Sequence, residues 1–470
     1  MSRSRVAPVA FAAGALLLTR FVACTPTPTP DGPSPPPSPT LDGAIVAPPK
    51  DAGPKVDGAM PPANPFADWV RWTDFDPSCE NYVPPSPSRM PAPYQWEPCE
   101  PAPETAGLDC RRAKIDWVPE TFVGYYYGRT MSRPGGALAI ATTLSTEHGH
   151  VDMISDLDGP TRFALLQKDV NHCRLDAFSG RGDRFGYAML TTQAGKPTQD
   201  ALVGGELADG KLRILQAYKE PDIRTIHMGD DGYIERDGPL TVIDWATGKR
   251  GETIFSPTGS ALFNPVYQNG IVSFETGSRA YQSIWTYIPA NKSQLFRSFG
   301  EDDTRAASDL GTDGVDWVWV EGYGRPTASS DPYPQVRIVT SKVIPGRGGP
   351  PENPREVRAG FYGSPFGTTP WTVGCGYAAR TTTVRDAGGI LSQPVVLVRL
   401  SDGKAHRLET RSTNKSAFGA AIGLTCNELV LRGTDTSADG KRRQNIFRIR
   451  IDSLGPDREL PPPTASDAGL

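Results

Sequence analysis

The sequence predicts an all-β fold, a seven-bladed β-propeller, on three observations. Glycine and proline together supply 96 of the 470 residues, about a fifth against roughly 12 % in average usage, which argues against a helical bundle or a long coiled coil. A unit of strand, tight turn and strand recurs along the middle of the chain. The turns fall near residues 159, 210, 248, 291, 346, 403 and 455, between 38 and 57 residues apart, the period of propeller blades.

Three hairpins are clearest. Val242-Ile243-Asp244-Trp245-Ala246-Thr247-Gly248-Lys249 leads into Thr253-Ile254-Phe255. Gly205-Glu206-Leu207-Ala208-Asp209-Gly210-Lys211 leads into Arg213-Ile214-Leu215, and Val398 to Lys404 leads into His406-Arg407-Leu408. Asp-Gly and Asn-containing pairs tolerate the positive φ that such turns need. Looser copies are expected at Ile154 to Leu165, Tyr287 to Phe299 and Phe447 to Leu460, the last turning at Leu454-Gly455. Another starts at Arg337 with its turn swollen into Pro345 to Pro354. A further apolar strand precedes most units, as in Ala137 to Ala141, Phe185 to Leu190, Gly270 to Phe274, Val315 to Val320 and Glu428 to Leu431. A pair of β-sandwiches would also give short strands and turns, but the even period over seven units favours radial closure, which leaves few exposed sheet edges. The pattern Asp313-Gly314-Val315-Asp316-Trp317-Val318-Trp319-Val320-Glu321, then strand and Thr-Gly-Lys, resembles the TolB-like propeller repeats of bacterial envelope proteins. The resemblance covers Lys114 to Asp457 and is one of architecture; it implies no activity.

Residues 1–23 read as a signal peptide: Arg3 and Arg5, then the apolar run Val6 to Leu18, too short to span a bilayer. Phe21-Val22-Ala23-Cys24 resembles the lipobox of bacterial lipoproteins, in which the cysteine becomes the acylated N-terminus. Ordinary signal cleavage, with Cys24 incidental and the protein periplasmic or secreted, is the alternative. Residues 24–65 are Pro/Thr/Ser-rich, too poor in apolar surface to offset ordering entropy, and are expected to be a disordered, extended tether. Residues 66–116 carry Trp69, Trp72, Trp96 and three cysteines and are expected to form a loop-rich, disulfide-stapled segment. The propeller spans 117–457, and 458–470 form a frayed tail.

Seven cysteines are an odd total for an exported chain; lipidation of Cys24 leaves six. Cys375 lies 28 residues before Gly403 and Cys426 lies 29 before Gly455. The same phase in consecutive units predicts Cys375–Cys426. Cys173 is then expected to pair with one of Cys79, Cys99 or Cys110.

The sequence singles out no catalytic residue. Gly363-Ser364-Pro365-Phe366-Gly367 does not supply a nucleophile elbow. Glu147-His148-Gly149-His150-Val151-Asp152 has metal-ligand chemistry, yet Gly149 reads better as a turn. Ile243 to Lys249 also looks like one repeat of quinone-binding propeller dehydrogenases, but one clean copy reads as a good hairpin, and no cofactor or metal is expected. Arg181-Gly182-Asp183 reads as a chance tripeptide in a turn. Tyr125-Tyr126-Tyr127, Trp317, Trp319 and Trp371 could face a carbohydrate, though inter-blade packing accounts better for Trp317 and Trp319, which alternate onto one side of their strand. A formal charge of −4 gives no nucleic-acid footprint. The reading is therefore a monomeric, non-catalytic scaffold binding an envelope protein or surface polysaccharide, with the membrane reached through the lipid alone. The loops Thr192 to Leu202, Gly324 to Gln335, Pro345 to Pro354 and Gly360 to Gly374 are expected to carry recognition. The alternative is a lyase- or glycosidase-type propeller acting on polysaccharide in its central channel. Thr25 after Cys24, with no Asp there, is similar to lipoproteins sorted to the outer membrane. Cys24→Ala is expected to release the protein into the soluble fraction and abolish palmitate labelling; unchanged membrane association would refute the anchor.

Overall fold

The computed structural model describes residues 93–114 and most of 124–461, short connecting stretches excepted, together with two short strands upstream. The N-terminal segment contributes β1 (Val70–Arg71), β2 (Asn81–Val83), β3 (Trp96–Pro98) and β4 (Cys110–Ala113). Blade I is β5 (Gly124–Ser132), β6 (Leu138–Thr146), β7 (Gly149–Asp156) and β8 (Thr161–Gln167). Blade II is β9 (Cys173–Arg181), β10 (Arg184–Gln193), β11 (Lys196–Glu206) and β12 (Leu212–Ala217). Blade III is β13 (Thr225–Met228), β14 (Gly232–Arg236), β15 (Leu240–Asp244) and β16 (Arg250–Ile254). Blade IV is β17 (Leu262–Gln268), β18 (Ile271–Thr276), β19 (Ser283–Ile288) and β20 (Lys292–Arg297). Blade V is β21 (Arg305–Thr312), β22 (Asp316–Tyr323), β23 (Tyr333–Lys342) and β24 (Arg355–Gly363). Blade VI begins with β25 (Thr372–Gly374) and β26 (Tyr377–Thr381); a small hairpin, β27 (Val384–Arg385) and β28 (Leu391–Ser392), precedes its β29 (Val395–Arg399) and β30 (Ala405–Leu408). Blade VII is β31 (Ala417–Leu424), β32 (Glu428–Thr436) and β33 (Arg442–Arg450), completed by β4. This is a seven-bladed β-propeller.

Inside each blade the strands run A to D from the axis outward, all antiparallel. The A–B and C–D connections therefore emerge at one end of the ring, and the B–C and D–A connections at the other. The first six recurrent hairpins of the sequence are the C–D hairpins of blades I to VI, and the extra apolar strands are B strands. The turn of blade III shows the chemistry. The Thr247 N–H and hydroxyl donate to Asp244 Oδ1 at 2.7 and 2.6 Å, and Gly248 takes φ 64°, the left-handed region open to glycine.

Each sheet has a neighbour on both faces, so both faces are apolar. In β18 all six residues are buried. Among the described residues seven apolar clusters form, one per blade interface. Between blades IV and V, Phe296 meets Trp317 and Trp319 edge-on at 5.7 and 5.3 Å between ring centres. Both tryptophans are buried, and Trp319 donates to Glu321 at 3.0 Å. They are packing residues, as their alternation indicated.

The last expected hairpin is not one. After β33 the chain makes two short 3-10 turns, Ile451–Ser453 and Pro456–Arg458. Glu459 then bridges to His406 in blade VI, and the Leu460 N–H donates to the Ala405 carbonyl at 2.8 Å. The outer partner of β33 is β4, with Cys110 opposite Ile449 and Arg112 opposite Phe447. The ladder position is already taken, and Pro456 has no N–H to offer one. Thr192 to Leu202 is also not a loop: β10 and β11 stay paired out to Gln193 and Lys196. Residues 325–332 and 364–370, the middles of two other expected loops, lie outside the described residues, as do Cys24 and the tether.

Cys375–Cys426 forms as its phase predicted, with Cα atoms 5.0 Å apart, joining the A–B turns of blades VI and VII. The second bridge is Cys99–Cys110, which staples β3 to β4. Of the three candidates for Cys173, this leaves Cys79, which lies outside the described residues. Cys173 opens β9, and the preceding strand β8 pairs Gln167 with Asn81 of β2, two residues beyond Cys79. Peptide mapping of the oxidised protein is expected to yield a Cys79–Cys173 crosslink; free thiols at both positions would refute it. The whole chain is expected to melt in a single cooperative calorimetric transition; deleting residues 1–114 removes β4 from blade VII and is expected to abolish it. A chain starting at Phe66 is expected to keep it.

Candidate functional site

At the end formed by the A–B and C–D connections, a cavity of about 660 Å³ opens on the axis. Its lining comes from the inner strands and A–B turns of blades I, II, IV, V, VI and VII, so it is the mouth of the central channel. Leu138, Val373 and Leu424 supply apolar surface, and Arg181, Gln268, Asn269, Asp313 and Asp316 supply polar groups. Tight A–B turns bring the backbone to the rim: Asn269, Gly314 and Gly376 have φ 52°, 91° and 78°. At Gly314 the positive φ favours glycine, and a Cβ would come within 2.3 Å of Gln268 Nε2, the end of a side chain that would have to shift. Asn269 Nδ2 donates to the Gly314 carbonyl at 3.1 Å across the same contact.

Two clefts continue outward from the mouth. One, of about 610 Å³, lies between blades V and VI and presents Thr340, Ser341, Lys342, Asn353, Arg355 and Ser401. The other, of about 380 Å³, lies between blades VI and VII against Cys426 and presents Lys404, His406, Asn427 and Asp452. Tyr377 and Arg399 line both. The loop 345–354 stands at this end and is held by its neighbours. Gly349 N–H donates to Thr286 Oγ1 of blade IV at 2.7 Å, and Ser341 Oγ to the Glu352 carbonyl at 2.6 Å.

The charges around these clefts are committed to one another. Asp313 Oδ1 accepts the N–H groups of Val315 and Asp316, both at 2.9 Å. Asp316 pairs with Lys342 at 2.7 Å and Lys404 with Glu459 at 2.8 Å. Arg399 grips Asp402 through Nε and Nη2, which holds that carboxyl down at about 2. Arg355 donates to the carbonyls of Leu400 and Ser401. Burial, aided by Lys404, lowers the His406 pKa. The surface is rich in donors and acceptors, and its described carboxylates serve turns and ion pairs. None stands free opposite another in the arrangement that glycoside chemistry needs.

The sequence-derived candidates scatter. Glu147 and His148 lie outside the described residues; His150 is half-buried with its pKa lowered by burial. Asp152 is buried and accepts hydrogen bonds from Thr143 Oγ1 at 2.5 Å and from Gln167 Nε2. Trp371 is buried, with Arg380 5.5 Å from its ring centre. Arg181, read as a chance turn residue, stands at the channel mouth. The central channel is the site of the alternative, polysaccharide-cleaving reading, but the residues of its mouth are not singled out by the sequence, although Asp313-Gly314 stands there as a break before a B strand.

No protein-family model matches this sequence, and no curated protein matches it. Among solved structures, the β-propeller domain of the trilobed protease from Pyrococcus furiosus, described as having an open velcro topology, aligns at 11 % identity. That alignment covers 70 % of this chain and 97 % of the other, with a TM-score of 0.42. An acylaminoacyl peptidase in complex with Z-Gly-Gly-Phe-chloromethyl ketone aligns at 11 % identity over 69 % of this chain and 51 % of its own, TM-score 0.41. A prolyl endopeptidase aligns at 13 % identity over 64 % and 44 %, TM-score 0.35. This chain spans about half the length of those two peptidases.

Proposed function

We propose that this protein is a non-catalytic envelope scaffold, anchored by lipid at Cys24 in the outer membrane, that binds a protein or glycan. The tether of residues 24–65 sets the propeller off from the bilayer. The binding surface is the channel mouth with its two clefts. The observation that carries this reading is the engagement of the carboxylates there: Asp313 caps its turn and Asp316 is paired with Lys342. Hydrogen-bonding capacity is plentiful, while an acid and a base poised for proton transfer are lacking among the described residues. Closed blades, the Cys375–Cys426 bridge and the tied loop 345–354 hold the surface rigid, which reduces the ordering cost of binding.

The test uses the chain from Phe66 onward against envelope polysaccharides and envelope protein extract. Saturable binding to one of them is expected, weakened about tenfold or more by Tyr377→Ala or Asn353→Ala, without release of product. Release of oligosaccharides, abolished by Asp313→Asn or Asp316→Asn, would overturn the reading in favour of a polysaccharide-cleaving enzyme.

A further inference from the structure

The cleft between blades V and VI carries a cation that no carboxylate neutralises among the described residues. Lys342, Arg355, Arg399 and Lys404 line this cleft and the one between blades VI and VII. Lys342 pairs with Asp316, Arg399 with Asp402 and Lys404 with Glu459. Glu352, in the loop above, is taken by Arg347. Arg355, the first residue of β24, has backbone oxygens alone as partners there. It donates through Nη2 to the Leu400 carbonyl and through Nη1 to the Ser401 carbonyl, the latter at 3.4 Å. The segments around it, 336–358, 371–381 and 395–408, are described without a break.

The grip holds that charge in one place. Both carbonyls belong to the C–D turn of blade VI, which is itself fixed. Leu400 is buried, and its N–H donates to the Gly376 carbonyl at 2.8 Å. The Lys404 N–H donates to Asp402 Oδ1 at 3.0 Å. A guanidinium has more N–H donors in its planar fork than two carbonyls can take, and carbonyl dipoles leave its unit charge in place. Arg355 is exposed, so the remaining donors face the cleft's solvent. The whole chain has a formal charge of −4, which repels a polyanion at long range; attraction has to be local.

The rest of the cleft suits a polyhydroxylated chain. Asn353, at φ 46°, and Ser401 present an exposed amide and hydroxyl. Tyr377 lends its ring to both clefts, its hydroxyl hydrogen-bonded to Arg399. A protein partner would be expected to seek apolar anchors, and these lie elsewhere. The exposed large apolar side chains among the described residues are Ile214, Phe255, Phe263 and Leu295, on or beside blades II to IV, and Val315 at the channel mouth. We propose that the cleft between blades V and VI binds an anionic polysaccharide, Arg355 receiving its carboxylate or sulfate while Asn353, Ser401 and Tyr377 meet the sugar hydroxyls and ring. This names the ligand class for the binding reading of the clefts and rests on that reading.

Titration of the whole chain with polygalacturonate, alginate and chondroitin sulfate, each beside its carboxyl-reduced or desulfated form, tests this. Saturable binding to at least one acidic polymer is expected, about tenfold or more tighter than to its uncharged form and weakened by added salt. Whether carboxyl reduction or desulfation abolishes it tells which oxyanion Arg355 takes. Arg355→Gln, which removes the charge, and Asn353→Asp, which sets an anion beside it and tolerates the positive φ, are each expected to weaken binding about tenfold or more. Lys249→Gln, which removes an exposed cation from the blade III turn at the same end, is expected to change nothing. An equal loss in Lys249→Gln would overturn the placement in this cleft. Equal affinity for the uncharged polymers, or for poly-glutamate, would overturn the anionic glycan while leaving the binding reading standing. Binding to none of the acidic polymers would overturn it too, and the screen against neutral polysaccharides and protein extract then judges the binding reading by itself. Should Arg355→Gln fail to fold, Asn353→Asp decides.

Discussion

A ring of sheets made from one chain has a seam, and everything else in this structure depends on how the seam is shut. Here β4 supplies the outer strand of blade VII from the start of the domain, while β33 and its neighbours come from the end. β3 extends the same sheet, and β2 and β1 extend blade I on the other side of the seam. One short segment thus grips the first and last blades together. The bridge Cys99–Cys110 pins its hairpin, and the Asn445 side chain donates to the Ala113 carbonyl at 3.2 Å. Closure buries what would otherwise be an exposed edge in blade VII and fixes the seventh interface, where Tyr94 and Ala113 pack beside Leu138 and Ile446.

Because each of the seven interfaces has its own apolar cluster, stability is distributed between neighbours, as in other repeat architectures. A ring differs from an open stack in that a strained or loosened interface is felt by all the others. This is why interior ties between blades matter more than their number suggests. The disulfide Cys375–Cys426 sets the spacing of blades VI and VII at the same end where the mouth opens, and the Glu275–Asp309–Arg380 chain sets that of blades IV, V and VI.

The C–D hairpins and B strands were legible because their information is local: Asp-Gly turns and runs such as Trp317-Val318-Trp319. The inner strands were not. β21 reads Arg-Ala-Ala-Ser-Asp-Leu-Gly-Thr and β17 contains Asn264-Pro265, so bulges and small or polar residues disguise both as loops. The role of β4 left no local trace either, since its partner lies more than 300 residues away. The same limit applies to the site. Each A–B turn can be found in sequence, but their convergence on one mouth is a property of the ring. Glu275 and Asp309 look like ordinary surface acids until the blades are assembled around them.

The seam and the interior tie can be compared directly, because each holds two carboxylates and one arginine between neighbouring blades. At the seam, Arg448 donates to Asp158 of blade I through Nη1 and Nη2 at 2.5 and 3.0 Å and to Glu428 through Nε at 3.0 Å, and lies 4.8 Å from the Trp96 ring centre. Its side chain is 6 % exposed, but Asp158 is 69 % exposed, so water solvates the surplus charge. At the interior tie neither acid reaches solvent, and Oδ1 of Asp309 has nothing to bond. The seam is held besides by the β4–β33 ladder, the Cys99–Cys110 bridge and its apolar cluster, which suits a closure on which the whole ring depends. The interior tie is dry, and it lies within the three blades whose turns form much of the channel rim.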